Sequence, residues 1–243
     1  MGHNLVIDQG NSAAKVAIFR GPALVRSWRY EELTPRILTD IAADYDITAA
    51  IYCSVSRHGE DIVVTLRGIA PRVYELTSIL PLPIKIGYTT PTTLGRDRIA
   101  AIAGAWACYP GRSVLVVDAG TAVTYDVLDT DGTFIGGNIA PGLWMRAQAL
   151  HDMTSRLPLV DVESEHNVAL WGTDTEGAIM SGVVRGVAGE IAYYRSQLPD
   201  DTIVMLTGGD AVRLAPLIDG NVEIDSLLVC KGLNSILTYN ESR

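Results

Sequence analysis

The sequence predicts an α/β protein built from two tandem, similarly organised domains, residues 1–111 and 112–243. Two stretches and one pattern carry that reading. Val114-Leu-Val-Val-Asp-Ala-Gly-Thr121 is an apolar run that delivers Asp118, Gly120 and Thr121 into a tight turn and re-emerges as an alternating strand through Leu128, as a buried strand entering a hairpin does. Leu5-Val-Ile-Asp-Gln-Gly-Asn-Ser12 follows the same plan nearly half a chain earlier, with Asp8, Gly10, Asn11 and Ser12 in the turn and Lys15 on the outgoing strand. After each hairpin, strands alternate with helices, the mark of an α/β layer architecture. A single Asp-x-Gly turn also occurs in plain hairpins. Its recurrence at this spacing is expected if two similar domains each offer one phosphate-facing hairpin to a shared cleft. In such a turn a glycine lets backbone N–H groups come close to an anion. Thr121 or Ser12 adds a hydroxyl, and the aspartate can hold a cation that neutralises phosphate charge.

In the first half, Gly21-Pro22 turns the chain into a third short strand, Leu24 to Arg29. Thr34-Pro35 opens a helix through Ala43, proline being suited to the first helical position. Ala49 to Val55 reads as a strand and Glu60 to Gly68 as a helix. Strand, strand, strand, helix, strand, helix is the order of a ribonuclease-H-like unit, whose central strands are buried on both faces. Ile84 to Arg98 then passes from a short strand through a loop rich in Thr, Pro and Gly into a helix from Asp97 to Tyr109. Ile99, Ile102, Ala103 and Trp106 fall on one apolar face of it, and Pro110-Gly111 stops it. Asp97, in the first turn, reads as a capping carboxylate favoured by the helix dipole or, beside a cleft, as a reacting group. Arg96 and Arg98 flank it, either as solvated surface cations or as a bidentate grip on a carboxylate or phosphate.

The second half opens on the Asp118 hairpin. Gly136, Gly137, Pro141 and Gly142 then punctuate a passage in which backbone must run close to something. A helix follows from Leu143 to about Leu150, and Thr154 to Thr173 reads as a long connection. Ile179, Val183, Val187, Ile191 and Leu198 mark a long helix from Thr175. Gly182, Gly186 and Gly189 on it would each cost about 1 kcal/mol in a solvent-facing helix, so they imply a second helix close by, in the fold or across a dimer interface. Ile203 to Leu206 is a buried strand entering Thr207-Gly-Gly-Asp-Ala211, a turn that could lie against a flat ligand or be an ordinary strand-to-helix turn. The apolar run Leu227-Leu-Val-Cys230, Lys231-Gly232 and a C-terminal helix complete the second unit.

A 48% hydrophobic, 19% charged composition is that of a globular protein with a sizeable core. The net charge of −9 and the lack of any Lys/Arg run exclude non-specific nucleic-acid binding. Cys53, Cys108 and Cys230, far apart and odd in number, fit reduced thiols in the cytoplasm. No apolar run approaches membrane-spanning length. His3, His58, His151 and His166 lack metal-ligand spacing, and there is no Cys-x-x-Cys pair, P-loop or Gly-x-Ser-x-Gly elbow.

The combination of Asp8-x-Gly-Asn-Ser-x-x-Lys15, Pro91-x-x-Leu-Gly-x-Asp-Arg98 and Asp118-Ala-Gly-Thr-Ala122 with Thr124 and Asp126 resembles the type III pantothenate kinases. These form a branch of the acetate/sugar kinase, Hsp70 and actin superfamily. The resemblance continues through Gly136-Gly-x-Ile-x-Pro-Gly142, Leu150-His-x-x-Thr-x-x-Leu-Pro158 and Gly172-x-x-Thr175-x-x-Ala-Ile-x-Ser-Gly182, in order and over almost the whole chain. It implies two tandem ribonuclease-H-like, actin-like ATPase domains with a cleft between them, and ATP-dependent phosphorylation of pantothenate to 4'-phosphopantothenate, the first step of coenzyme A biosynthesis. By the same resemblance Asp97 is the base. Tyr88, Gly95, Arg96, Asp97, Arg98 and Thr175 bind pantothenate, Thr175 from the neighbouring subunit of a homodimer. Asp8, Gln9, Gly10, Asn11, Ser12, Ala13, Ala14, Lys15 and Thr121 bind ATP, Asp8 faces Mg2+, and Asp118 holds K+ or NH4+. Gln9 stands where the family usually has an aliphatic residue, and Ser12 where it has Thr. The superfamily part of the pattern also admits an acetate or sugar kinase, or a nucleotide-binding regulator without catalysis; Asp97, Arg98, Asp118 and Thr121 together argue against the latter.

Overall fold

The central strands form because runs of Val, Ile and Leu can be buried on both faces of a sheet only if covered on both sides. The computed structural model describes residues 2–54, 60–162 and 168–243. Val55 at the end of a predicted strand, His58, His166 and part of the predicted 154–173 connection lie outside them. The chain divides into two units, one of residues 1–111, 130–135 and 227–243, the other of residues 112–129 and 136–226.

In the first unit, β1 (His3–Gln9), β2 (Ala14–Arg20) and β3 (Ala23–Tyr30) form an antiparallel meander. α1 (Pro35–Ala42) follows, capped by the Thr34 hydroxyl, which accepts from the Ile37 amide at 3.4 Å. β4 (Ile47–Ser54) pairs in parallel with β1, α2 (Glu60–Ile69) crosses back, and β5 (Val73–Glu75) pairs in parallel with β4. The strand order is β3-β2-β1-β4-β5. Leu5, Ile7, Val16 and Ile18 bury against Leu38, Ile41, Ile62 and Leu66 of α1 and α2, each such side chain contributing about 1.5–3 kcal/mol of transfer free energy. β6 (Lys85–Ile86) leads to α3 (Arg96–Cys108).

The second unit repeats this order. β7 (Val114–Ala119) and β8 (Ala122–Leu128) are antiparallel, and β9 (Thr133–Pro141) lies beside β8. α4 (Leu143–Asp152) and α5 (Thr175–Ser196) follow. β10 (Ile203–Thr207) is parallel to β7, and after the short α6 (Ala211–Leu214), β11 (Val222–Ile224) is parallel to β10. Leu115, Val117, Ala119 and Tyr125 pack on Leu143, Val183, Val187 and Ile191 of α4 and α5. Both units therefore have their first strand in the middle, with its antiparallel neighbour on one side and a parallel one on the other. This is the ribonuclease-H-like topology built twice.

Two features differ from the sequence reading. The C-terminal helix α7 (Leu228–Glu241), assigned there to the second domain, packs with the first unit, against β1, β4 and α3. Residues 130–135 also belong to the first unit, through Lys85 and Ile86 paired with Thr133 and Phe134. Two glycines make the α7 packing possible. A Cβ at Gly232 would lie 1.7 Å from the Ala100 carbonyl oxygen, and one at Gly104 would lie 2.3 Å from that of Leu228. The second difference is that α3 has no single apolar face, because Arg98 to Ala105 are all buried. Ala100, Ala101, Ala103, Gly104 and Ala105 are small enough to be approached from every side.

Candidate functional site

Asp8 is the second-to-last residue of β1, and Asp118 holds the same place in β7. Lys15 stands directly across from Asp8, as Thr124 does from Asp118. Gln9 ends β1, Gly10 to Ala13 form the turn, and Ala14 and Lys15 open β2. The Gly10 amide donates to the Ala13 carbonyl at 3.1 Å, and the Gly120 amide to that of Ala122 at 3.0 Å. Both turns are thus closed by their own glycine amide, and neither glycine needs a positive φ. Asn11, Ser12 and Thr121 are exposed. Gln9 is partnered: Tyr52 on β4 donates its hydroxyl to Gln9 Oε1 at 2.6 Å, which satisfies the amide oxygen.

Within the first unit the structure brings Asp8 together with the start of α3. Asp8 pairs with Cys53 across β1 and β4. Burial first, then the carboxylates of Asp8 and Asp97, push the Cys53 thiol well above its ordinary value, so both carboxylates face one neighbourhood. Asp97 lies in the first turn of α3, and its Oδ1 accepts from the Arg98 amide at 2.8 Å. A Cβ at Gly95 would meet that same oxygen at 2.6 Å. The Asp97 carboxylate is thus folded over Gly95, the residue that caps the helix. Of the two flanking arginines, Arg96 is exposed and Arg98 only 6% exposed. The Arg98 guanidinium lies 5.6 Å from the Tyr88 ring centre and 5.7 Å from that of Phe134, in cation–π range of both.

The second unit gathers three backbone segments around Asp118. Gly142 donates to the Thr121 carbonyl at 3.0 Å, and a Cβ there would lie 2.2 Å from the Gly120 oxygen. The close approach foreseen for the 136–142 passage is met at Gly142, whereas a Cβ at Gly136 would have nothing within 4 Å. Gly208 has φ +89 and would set a Cβ 2.6 Å from Asp118 Oδ1, and the Asp210 amide donates to the Ala119 carbonyl at 3.0 Å. The Thr207-Gly-Gly turn is thus held against the Asp118 turn. Thr207 itself is 1% exposed, and its hydroxyl has no hydrogen-bond partner among the described residues. An orphaned buried oxygen beside a carboxylate fits a bound cation, since hard cations take oxygen ligands. Among the described residues no three His, Cys, Asp or Glu cluster as a self-sufficient metal cage. Mg2+ held by one carboxylate and substrate phosphates needs none.

Thr175 opens α5, after Asp174 caps the helix by accepting from the Gly177 amide at 2.8 Å. It lines a groove of about 1030 Å³ between α4 and α5, with Arg146, Leu150, Met153, Thr154 and Gly182 among its walls. A network missed by sequence reasoning ties the groove together. Arg146 donates to both oxygens of Glu190 at 2.7 Å and to the Pro141 carbonyl at 2.8 Å, while Tyr125 donates to Glu190 at 2.5 Å. Burial acts to raise the Glu190 carboxyl, but the Arg146 and Tyr125 hydrogen bonds outweigh it and hold the group below its usual range. No spacing could have revealed three residues on three separate elements.

A sequence model of the type III pantothenate kinases matches residues 4–197. The chain belongs to the type III pantothenate kinase family. It is 41% identical over 243 residues to the type III pantothenate kinase of Bacteroides fragilis, covering 99% of both chains. It is also 41% identical over 244 residues to that of Porphyromonas gingivalis, covering 99% of this chain and 100% of the other. Among solved structures, a Campylobacter jejuni protein assigned to the Baf family of transcriptional activators aligns at a TM-score of 0.66, 24% identical, over 98% of this chain and 100% of that one. The activator of 2-hydroxyisocaproyl-CoA dehydratase from Clostridium difficile, solved with bound ADPNP, aligns at 0.57, 15% identical, over 99% and 96%. At these identities the two structures bear on the fold alone.

Proposed function

We infer that the chain transfers the γ-phosphoryl group of ATP to the terminal hydroxyl of pantothenate, giving 4'-phosphopantothenate, the first step of coenzyme A biosynthesis. The full-length match to type III pantothenate kinases carries this reading. The residue roles follow from the resemblance of the motifs to that family, and the geometry above is compatible with them. Phosphoryl transfer has a loose transition state, so positioning and charge neutralisation supply most of the acceleration. Asp8, Gln9, Gly10, Asn11, Ser12, Ala13, Ala14 and Lys15 cradle the ATP phosphates with the Thr121 hydroxyl. Mg2+ on Asp8, and K+ or NH4+ on Asp118, would offset the negative charge of the phosphates. Asp97 accepts the proton of the attacking hydroxyl at Oδ2, its Oδ1 being engaged by the Arg98 amide. Arg98 and the Gly95-Arg96 backbone grip the pantothenate carboxylate, with Tyr88 alongside.

The same reading makes the enzyme a cytoplasmic homodimer whose α4/α5 face meets its copy, Thr175 closing the partner's pantothenate site. Supporting this, a Cβ placed at Gly182 or Gly189 of α5 would have nothing within 4 Å. Trp144 and Met153 stand 56% and 85% exposed on α4 and just after it, an apolar display that suits an interface. No helix among the described residues is long and apolar enough to cross a membrane. A coupled ADP-release assay tests the activity: turnover must require pantothenate, Mg2+ and K+ together, and ADP release indifferent to pantothenate would contradict it.

A further inference from the structure

We propose that Thr207 is a ligand of the monovalent cation, its Oγ1 completing with the Asp118 carboxylate a site that Asp118 alone does not build. The proposal rests on the reading of Asp118 as the cation's carboxylate.

Register puts the two residues side by side. Thr207 is the Cα partner of Asp118 in the parallel β10/β7 pair, and partners in a parallel pair project to the same sheet face. The burial pattern agrees. Leu115, Val117, Ala119, Val204 and Leu206 all join the core cluster on the α5 side, which leaves Asp118 and Thr207 on the opposite face. The residue after Thr207 is then pressed onto the carboxylate, since a Cβ at Gly208 would come within 2.6 Å of Asp118 Oδ1. Gly208 tolerates both that contact and its φ of +89 because it has no side chain. Thr207 ends up 1% exposed, its buried hydroxyl without a hydrogen-bond partner among the described residues. A buried hydroxyl left unpaired costs free energy that water would otherwise have offset, and a cation against the carboxylate removes that cost, because a hydroxyl oxygen offers lone pairs to a hard ion. Threonine adds rigidity, its branched Cβ restricting the rotamers that could turn the oxygen away.

The test compares wild type with Thr207→Val, Thr207→Ser and Asp118→Asn, reading melting temperature in KCl against choline chloride at equal ionic strength. Valine matches threonine in shape and has no hydroxyl to bury. In choline, Thr207→Val should melt as high as wild type or higher. In K+ it should lose the rise that wild type and Thr207→Ser show, as should Asp118→Asn. Its K+ requirement in ADP release should increase at least about tenfold, equivalent to about 1.4 kcal/mol, with the KM for pantothenate unchanged. Full retention of the K+-dependent rise in Thr207→Val, with loss in Asp118→Asn, overturns the role of Thr207 and leaves that of Asp118 standing. No K+-dependent rise in wild type overturns both. Should Thr207→Val not fold, wild-type crystals soaked in Tl+ decide: an anomalous peak in contact with Thr207 Oγ1 supports the proposal, and a peak away from it or none overturns it.

Discussion

Arg146, Glu190 and Tyr125 link α4, α5 and β8 through charge-assisted bonds that the sequence could not announce. Because the Glu190 carboxyl is held below its usual range by Arg146 and Tyr125 against the opposing effect of burial, the folded state binds its proton less readily than the unfolded chain does. The stabilisation is therefore fully present above the ordinary glutamate value of about 4.3 and is lost as the pH falls through the depressed folded value. Wild type should lose melting temperature on acidification over that window, and Glu190→Gln should show a visibly shallower loss there; identical acid limbs for the two proteins would contradict this. The placement of the candidate site residues was legible where they sat in contiguous motifs. Asp8 to Lys15, Gly95 to Arg98 and Asp118 to Thr121 all fall at strand ends or a helix start, as read from the sequence. What was not legible depends on pairing across elements. Tyr52 satisfying Gln9, and Thr207 beside Asp118, follow from strand register, which a single sequence does not fix.

At the level of elements, two glycine-bearing helices behave in opposite ways. Gly232 on α7 meets α3 so closely that a Cβ would sit 1.7 Å from the Ala100 oxygen. Gly232→Ala should force the helices apart at a cost of about 3 kcal/mol, lowering the melting temperature by roughly 6–12 °C; an unchanged melt would refute the tight crossing. Gly182 on α5 faces open space. Gly182→Leu should hold or raise the stability of the monomer, because leucine is the better helix former by up to about 1 kcal/mol. It should also convert the dimer expected of wild type to monomer by light scattering and reduce pantothenate turnover. A wild type that is itself monomeric would remove the interface. The sequence pattern located both helices but misassigned α7, since the strand-helix rhythm that ends the second repeat does not say which sheet the last helix covers.

For the whole molecule, the two repeats share one strand order, and each carries an aspartate at the penultimate residue of its central first strand. That duplication was legible because buried central strands write themselves as apolar runs ending in Asp-x-Gly. The boundaries of the units were less so, because residues 130–135 and 227–243 return to the first unit after the chain has left it. The family match makes the chain a pantothenate kinase, and in the proposed mechanism Asp97, at the start of α3, is the group on which catalysis turns. ADP release with pantothenate, ATP, Mg2+ and K+, measured for wild type and Asp97→Asn, addresses that claim directly. The variant should keep its melting temperature within a degree or two and lose about 10²–10⁴-fold in kcat, the usual worth of a positioned base. Turnover equal to wild type in a folded Asp97→Asn protein would contradict it.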